Sequence, residues 1–305
     1  MIHKLQFRAM GCQMLVAIDS PQTPAESEFV PAWFEGWEQT FSRFRLDSEL
    51  SRLNRCAGIP TQVSQDFADV FEIALTAERM SGGMVTPVLL DSLLRAGYDR
   101  SFDLLAPQQV LSYPEPILSL PRLGEVDWDA ATRTICTPPD LHLDFGGIVK
   151  GWAAAQAAEK LKEIGPVLVD AGGDIAVSGR QADGQPWPIG LANPFNPTEN
   201  LDLLQITGGG VATSGRDRRR WLQGNHWNHH LIDPRYGTPA ETDVLTATVI
   251  APSVIQAEMA AKTCLILGSQ DGLDWLESDP SLAGMLVLED GRCLQSNNFE
   301  NHLWR

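Results

Sequence analysis

The order in which the short apolar runs follow one another constrains this chain most. Residues 167–169 and 175–177 are two such runs on either side of a tight Ala171-Gly172-Gly173 turn, and a helical segment at 152–164, closed by Gly165-Pro166, comes directly before them. Further strands are expected at 14–18, 188–191, 203–207, 229–232 and 246–250. Two helices carry their own start and stop signals. Ser64 is placed to cap a segment in which Phe67, Val70, Phe71, Ala74 and Leu75 keep helical spacing up to Gly82-Gly83. Ser253 and Gln256 form a capping box for a helix over 254–267 that stops at Gly268. Thr86-Pro87 is read as opening a short helix through Leu94, with the proline in the first turn. Trp33, Trp37, Phe41 and Phe44 recur on one helical face, and for the first three a core stripe is the reading. Residues 103–140 are rich in proline and are read as loop with short strands. Strands and helices thus mix in irregular order rather than as a βαβα alternation, and the fold class that follows is α+β.

Composition narrows the function classes. The 39 Asp and Glu against 23 Lys and Arg leave a formal charge of −16 over 305 residues. That is the wrong sign for sequence-independent DNA binding, which needs a basic surface. No apolar run approaches a membrane-spanning length, and no signal segment is visible at the N-terminus, so a cytoplasmic protein with no membrane span and no nucleic-acid partner is expected. The five cysteines are scattered and never form C-x-x-C, which fits reduced thiols better than a disulfide framework or a zinc site.

Several segments could carry chemistry. Asp144-Phe145-Gly146 spells the kinase metal triplet without any other kinase motif. The stretch from Gly146 to Gly151 has two glycines and Lys150 just before a helix. It reads either as an anion-binding turn, with backbone N–H groups and a positive point charge, or as a plain turn into a helix with a solvated lysine. Gly208 to Gly215 reads as a second flexible, donor-rich loop, followed by Arg216, Arg218, Arg219 and Arg220, which could hold phosphate or form a solvated face. His226, His229 and His230 invite a zinc reading, but strand neighbours point to opposite faces and no ligand motif follows. A single histidine acting as a base is the more economical reading.

Taken together, these segments resemble the ApbE-type flavin transferases. The matching pieces, in order, are Ala9-Met10-Gly11, Phe41-Ser42-Arg43-Phe44 with the run from Asp47 to Asn54, and Ser81-Gly82-Gly83-Met84-Val85-Thr86-Pro87. Then come the run from Asp144 to Gly151, Asp170-Ala171-Gly172-Gly173-Asp174-Ile175, Ala212-Thr213-Ser214-Gly215, the run from His229 to Arg235, and Thr248-Val249-Ile250-Ala251-Pro252 with its helix. The resemblance implies one domain over 1–305, with mixed, mostly antiparallel sheets and packed helices around an FAD cleft. It implies an FAD:protein FMN transferase that cleaves the FAD pyrophosphate with Mg²⁺, attaches FMN to a Thr or Ser hydroxyl of a partner flavoprotein and releases AMP. It places FAD contacts at Met10, Phe44, Met84, Val85, Thr86, Asp144, Lys150 and Ile232, and assigns His230 as the base for the acceptor hydroxyl. The metal would take the Gly147 carbonyl and Glu258. Phosphoryl transfer requires charge neutralisation and positioning, and a neutral imidazole suits the proton transfer.

Four positions depart from that pattern. Where the family has Asp and, four residues on, Thr as metal ligands, this chain has Glu258 and Lys262. A protonated lysine is no ligand, although Glu and Lys one turn apart also make an ordinary helix pair. Either Lys262 swings away and Glu258 holds Mg²⁺ weakly, or the ammonium occupies the metal position. Ala155 replaces an acidic residue, and Tyr236 replaces a threonine. An FAD carrier without transferase activity and an FAD pyrophosphatase are the alternatives.

Overall fold

The computed structural model describes residues 1–105, 120–223 and 226–305. The part of the proline-rich stretch at 106–119 lies outside the described residues. The chain divides into two compact units: Met1–Phe34, Lys150–Asp217 and Thr242–Arg305 form the first, Glu35–Val149 and Arg218–Glu241 the second. Helices and antiparallel sheets mix in both, as the α+β reading requires.

The first unit is built on an eight-stranded sheet. Its strands are Ile2–Ala9, Cys12–Asp19, Val167–Ala171, Asp174–Ser178, Gly209–Gly215, Val244–Ala251, Ala283–Leu288 and Cys293–Gln295. They lie side by side in chain order, each antiparallel to the next. Ile2–Ala9, at one edge, alternates exposed and half-buried residues, whereas Ala283–Leu288 is buried throughout because both faces of the sheet are covered there. On one face the hairpin of Trp187–Ala192 and Asn200–Ile206 packs Trp187, Ile189, Leu204 and Ile206 against Leu168, Val177, Val211 and Met285.

Helix Val254–Leu267 packs on Gly209–Gly215 and Val244–Ala251. It is apolar nearly all round, as a fully buried helix must be. The Ser253 hydroxyl accepts from the Gln256 N–H at 3.2 Å, and Gly268 ends the helix at φ +91°, so both boundaries are those the capping signals give. Gly209–Gly215 corrects one expectation: this run is an interior strand, not a flexible loop. The glycine signal was misread because its cause is tertiary. A Cβ at Gly210 would land on the backbone of Val254, so the helix can start there only above a residue with no side chain.

In the second unit, helix Gln65–Met80 starts at Ser64, whose hydroxyl accepts from the Phe67 N–H at 3.3 Å. Phe41, Phe67 and Phe145 form its aromatic centre, with ring centroids 5.3 to 6.1 Å apart. Three short strands, Thr61–Gln62, Asp127–Asp129 and Thr134–Cys136, make a small sheet, and two hairpins follow at Arg220–Gln223 with His226–His229 and at Ile232–Asp233 with Thr238–Pro239.

Three further expectations are corrected here. The aromatic stripe stops early: helix Val30–Phe41 ends before Phe44, and Trp33 is only half-buried while Phe34 takes the core position. The helix after Pro87 is Leu90–Arg95, because the Pro87 carbonyl accepts from the Asp144 N–H at 2.8 Å and keeps that segment in a loop. The strand expected over 229–232 is interrupted at His230 and Leu231 between the two hairpins. No helix among the described residues is long and apolar enough to cross a membrane.

Candidate functional site

Two glycine-bearing turns meet at one end of the first unit's sheet. Met10 and Gly11 form the two-residue link between Ala9 and Cys12, both at positive φ (49° and 67°), the mirror-image geometry that suits a tight hairpin. Met10 therefore occupies a left-handed conformation that a non-glycine residue adopts only under constraint. Gly172 and Gly173, at φ 71° and 101°, form the other turn. A Cβ at Gly172 would lie 2.7 Å from that of Cys12, so only glycine allows the two turns to touch. The Asp170 carboxylate accepts from the Gly173 N–H at 2.7 Å and closes the turn.

Lys150, in the first turn of helix Val149–Leu161, reaches Asp174 on the strand after this turn and lies 3.8 Å from Glu258. Lys262, one turn along helix Val254–Leu267, donates to Glu258 Oε1 at 2.9 Å. The Gly151 N–H donates to the other oxygen, Oε2, at 3.0 Å. Glu258 is 1% exposed and the two lysines 16% and 13%, so the four groups form a mostly buried quartet whose formal charges cancel. Burial works to lower the Lys150 pKa, but Asp174 and Glu258 outweigh it and hold the ammonium charged well above the usual lysine range. Burial, reinforced by Asp174, raises the Glu258 pKa despite the opposing pull of Lys262 and Lys150. Of the two readings of Lys150, the solvated lysine is excluded by these contacts.

A hard divalent cation needs several oxygens converging on one point. Among the described residues no three His, Cys, Asp or Glu side chains do so. Both oxygens of Glu258 already carry N–H donors, one of them cationic. The donor set therefore does not fit Mg²⁺. Lys262 has not swung away from Glu258, and Ala155 on helix Val149–Leu161 adds no carboxylate. Gly147 lies on the turn preceding that helix and belongs to the second unit.

In the second unit, Asp144 joins two of the expected positions. Its backbone N–H donates to the Pro87 carbonyl, which ends the loop of Met84, Val85 and Thr86, and its Oδ1 accepts from the Gly146 N–H at 2.8 Å. The loop is held from within: the Val85 N–H donates to the Ser81 hydroxyl at 2.9 Å, and the Thr86 hydroxyl donates to Glu78. Asp144 Oδ2 lies 2.9 Å from Arg43 Nε. The Arg43 guanidinium, with its carbon 4.2 Å from the Phe44 ring centroid and 4.4 Å from that of Tyr98, also donates to the Tyr98 carbonyl at 2.7 Å. Tyr98 packs on Trp221 at 5.1 Å, and Ile232 belongs to the same cluster. Arg43, Tyr98 and Trp221 are the residues that sequence reasoning missed. Arg43 lies inside the quoted Phe-Ser-Arg-Phe segment, but no spacing rule separates a stacked arginine from a solvated one.

His230 sits on the link between the two hairpins. Its neighbours fix that link: His229 Nε2 lies 3.1 Å from the Ala240 carbonyl, and the Ala240 N–H donates to the Leu231 carbonyl at 2.9 Å. The turn that follows is braced by Arg235, whose guanidinium makes two-pronged contact with the buried Asp233 at 3.0 and 2.7 Å. Tyr236, in that turn, is exposed. The side chain of His226 lies outside the described residues. The arginine cluster is split: Arg216 donates to the Thr242 and Val244 carbonyls and lies 2.8 Å from Glu289, while Arg220 stacks on Trp227. Of the expected positions, Met10, Lys150 and Glu258 thus belong to the first unit, and Phe44, Met84, Val85, Thr86, Asp144, Gly147, His230 and Ile232 to the second.

Comparison with known proteins gives the family and the fold. The FAD:protein FMN transferase of Salmonella typhimurium is 26% identical over 284 residues, which cover 91% of this chain and 81% of that protein. One of Klebsiella pneumoniae is 30% identical over 267 residues, covering 83% of this chain and 79% of its own. Among solved structures, the ApbE protein of Thermotoga maritima superposes with a TM-score of 0.88 at 21% identity over all of both chains. The flavin transferase ApbE of Vibrio cholerae does so at 0.79 and 21%, over 99% of each. The sequence pattern of the ApbE family matches residues 10–286, and the chain belongs to that family.

Proposed function

We propose that this chain is an FAD:protein FMN transferase acting as one functional domain. The observation that carries the reading is the buried Lys150, a cation fixed by Asp174 and Glu258 in the first turn of a helix beside the Gly172-Gly173 turn. Such a cation, at the N-terminal end of a helix, suits the diphosphate bridge of a dinucleotide. That the relatives are named FAD:protein FMN transferases supports FAD as that dinucleotide.

In the reaction, a Thr or Ser hydroxyl of a partner flavoprotein attacks the phosphorus of the FMN half. The bond from that phosphorus to the bridging oxygen breaks, AMP leaves with that oxygen, and FMN remains as a phosphodiester on the acceptor. His230 takes the hydroxyl proton as the new bond forms. Lys150 offsets charge on the diphosphate oxygens, where positioning and electrostatics do most of the catalytic work. Phe44, Met84, Val85, Thr86, Asp144 and Ile232 contact the flavin and adenine parts, and Met10 contacts the dinucleotide from its hairpin turn. No step is assigned to a divalent cation, because the Glu258 quartet does not fit one.

The test is AMP release from FAD, followed with and without an acceptor protein presenting a threonine. Release that requires the acceptor, with flavin retained on it after denaturation, is the expected result. Release without acceptor would make the chain a pyrophosphatase, and tight FAD binding with no release a carrier.

A further inference from the structure

Resting on the transferase reading, we propose that the Lys262 ammonium stands in this chain where a divalent cation would otherwise balance the carboxylates, so that FAD is bound and cleaved without metal. Asp174 and Glu258 are two buried carboxylates on neighbouring elements, 3% and 1% exposed. Left unbalanced, such a pair would be strongly unfavourable, and a hard cation is one way to balance it. This chain does so with its own side chains: Lys150 serves Asp174 and approaches Glu258, and Lys262 completes the set from the next turn of the same helix as Glu258.

The geometry leaves a metal no place at Glu258. Oε2 accepts from the Gly151 N–H at 3.0 Å and Oε1 from Lys262 at 2.9 Å. A cation ligated by Oε1 would lie within a few ångströms of a fixed positive charge in a partly desolvated site, where like charges repel strongly. Lys262 has little freedom to retreat, since it is 13% exposed and its helix is buried on nearly every side. An ammonium carries three N–H donors, and Glu258 takes one of Lys262's. The others suit phosphate oxygens, so that Lys262 would neutralise charge on the diphosphate by direct contact while the bonds made and broken stay those already described.

The experiment uses the full chain and three measurements: FAD affinity by calorimetry in EDTA and in Mg²⁺, AMP release with acceptor under both conditions, and Mn²⁺ binding by electron paramagnetic resonance. For the unaltered chain, FAD affinity and AMP release are expected to be the same in EDTA and in Mg²⁺, with Mn²⁺ remaining free. Lys262→Thr removes the ammonium, and its FAD affinity in EDTA should fall roughly tenfold or more, the loss expected for a charge-assisted hydrogen bond. That variant should gain Mn²⁺ binding, and Mg²⁺ should restore its affinity. Lys262→Arg, which keeps the charge, should stay indifferent to metal, and it distinguishes loss of charge from loss of fold. Stoichiometric Mn²⁺ binding by the unaltered chain, or an FAD affinity that needs Mg²⁺, overturns the proposal while leaving the transferase reading intact. Metal-indifferent FAD binding with no AMP release under either condition overturns the transferase reading and the metal-free cleavage that rests on it, and leaves only the metal-free binding standing. FAD bound under neither condition overturns both.

Discussion

The amide of Gly151 and the carboxylate of Glu258 are joined by a 3.0 Å hydrogen bond that ties the start of one buried helix to the middle of another. The approach is possible only because residue 151 has no side chain: a Cβ there would lie 2.6 Å from Glu258 Oε2 and 3.4 Å from the Val254 carbonyl. Gly151→Ala should therefore force the two helices apart, with a stability loss of about 1–3 kcal/mol, the usual range for overpacking. Denaturant unfolding of the two proteins measures it. The neighbouring change Glu258→Gln should be at least as damaging, about 3 kcal/mol, because it leaves Lys262 and Lys150 without one of their two counter-charges.

A pH dependence follows from Asp170. Burial raises its pKa, and the repulsion of Asp174 adds to this, against the N–H groups of Gly173 and Gly172 and the attraction of Lys150. A carboxyl raised on folding binds its proton more tightly in the folded than in the unfolded chain. Through the window from its ordinary value of 3.8 up to its folded value, stability falls as pH rises, and at neutral pH the chain carries that loss in full. Asp170→Asn keeps an acceptor for the Gly173 N–H and removes the charge. It should unfold at a higher temperature than the unaltered chain at neutral pH, an advantage that disappears below the carboxylate range. Thermal unfolding followed from acid to neutral pH decides this, and a variant less stable at neutral pH would refute it.

How far these relationships could be read from sequence varies with their cause. The boundaries of helix Val254–Leu267 follow from Ser253, Gln256 and Gly268, which act within a few residues of one another. The strand Gly209–Gly215 was obscured because Gly210 answers to Val254, a residue far along the chain, while its local signature is that of a loop. Lys262 was legible as a helix partner of Glu258, but not its burial, which depends on what packs over the helix. The motif segments located Phe44 and Asp144 and contain Arg43, which touches both, but they give it no role.

That arginine supports the next prediction. Arg43 bridges Asp144 and the Tyr98 carbonyl while its guanidinium lies against the rings of both Phe44 and Tyr98, which also touch each other. Lysine can replace its charge but not its plane or its fork of donors, so Arg43→Lys should not rescue the site. If Phe44 and Asp144 contact the flavin as proposed, Arg43→Lys and Arg43→Met should each weaken FAD binding by roughly tenfold, as loss of a charged hydrogen bond would. Fluorescence quenching of FAD measures the affinity. Unchanged affinity in both variants would remove Arg43 as the residue positioning Phe44 and Asp144.

The two adjacent histidines should behave in opposite ways. His229 is buried and its ring contacts the Ala240 carbonyl at 3.1 Å, which makes it an anchor between the hairpins. His229→Ala should lower the unfolding temperature and reduce FAD binding and transfer together. His230, on the link itself, is proposed to take the acceptor's proton. General bases contribute roughly 10²–10⁴-fold to rate, so His230→Ala should slow FMN transfer by about a hundredfold or more while FAD affinity stays within about threefold. Transfer rates and FAD affinities of both variants are the measurements. Parallel loss of binding and transfer in His230→Ala would place His230 with His229 as an anchor and leave the hydroxyl proton to another group.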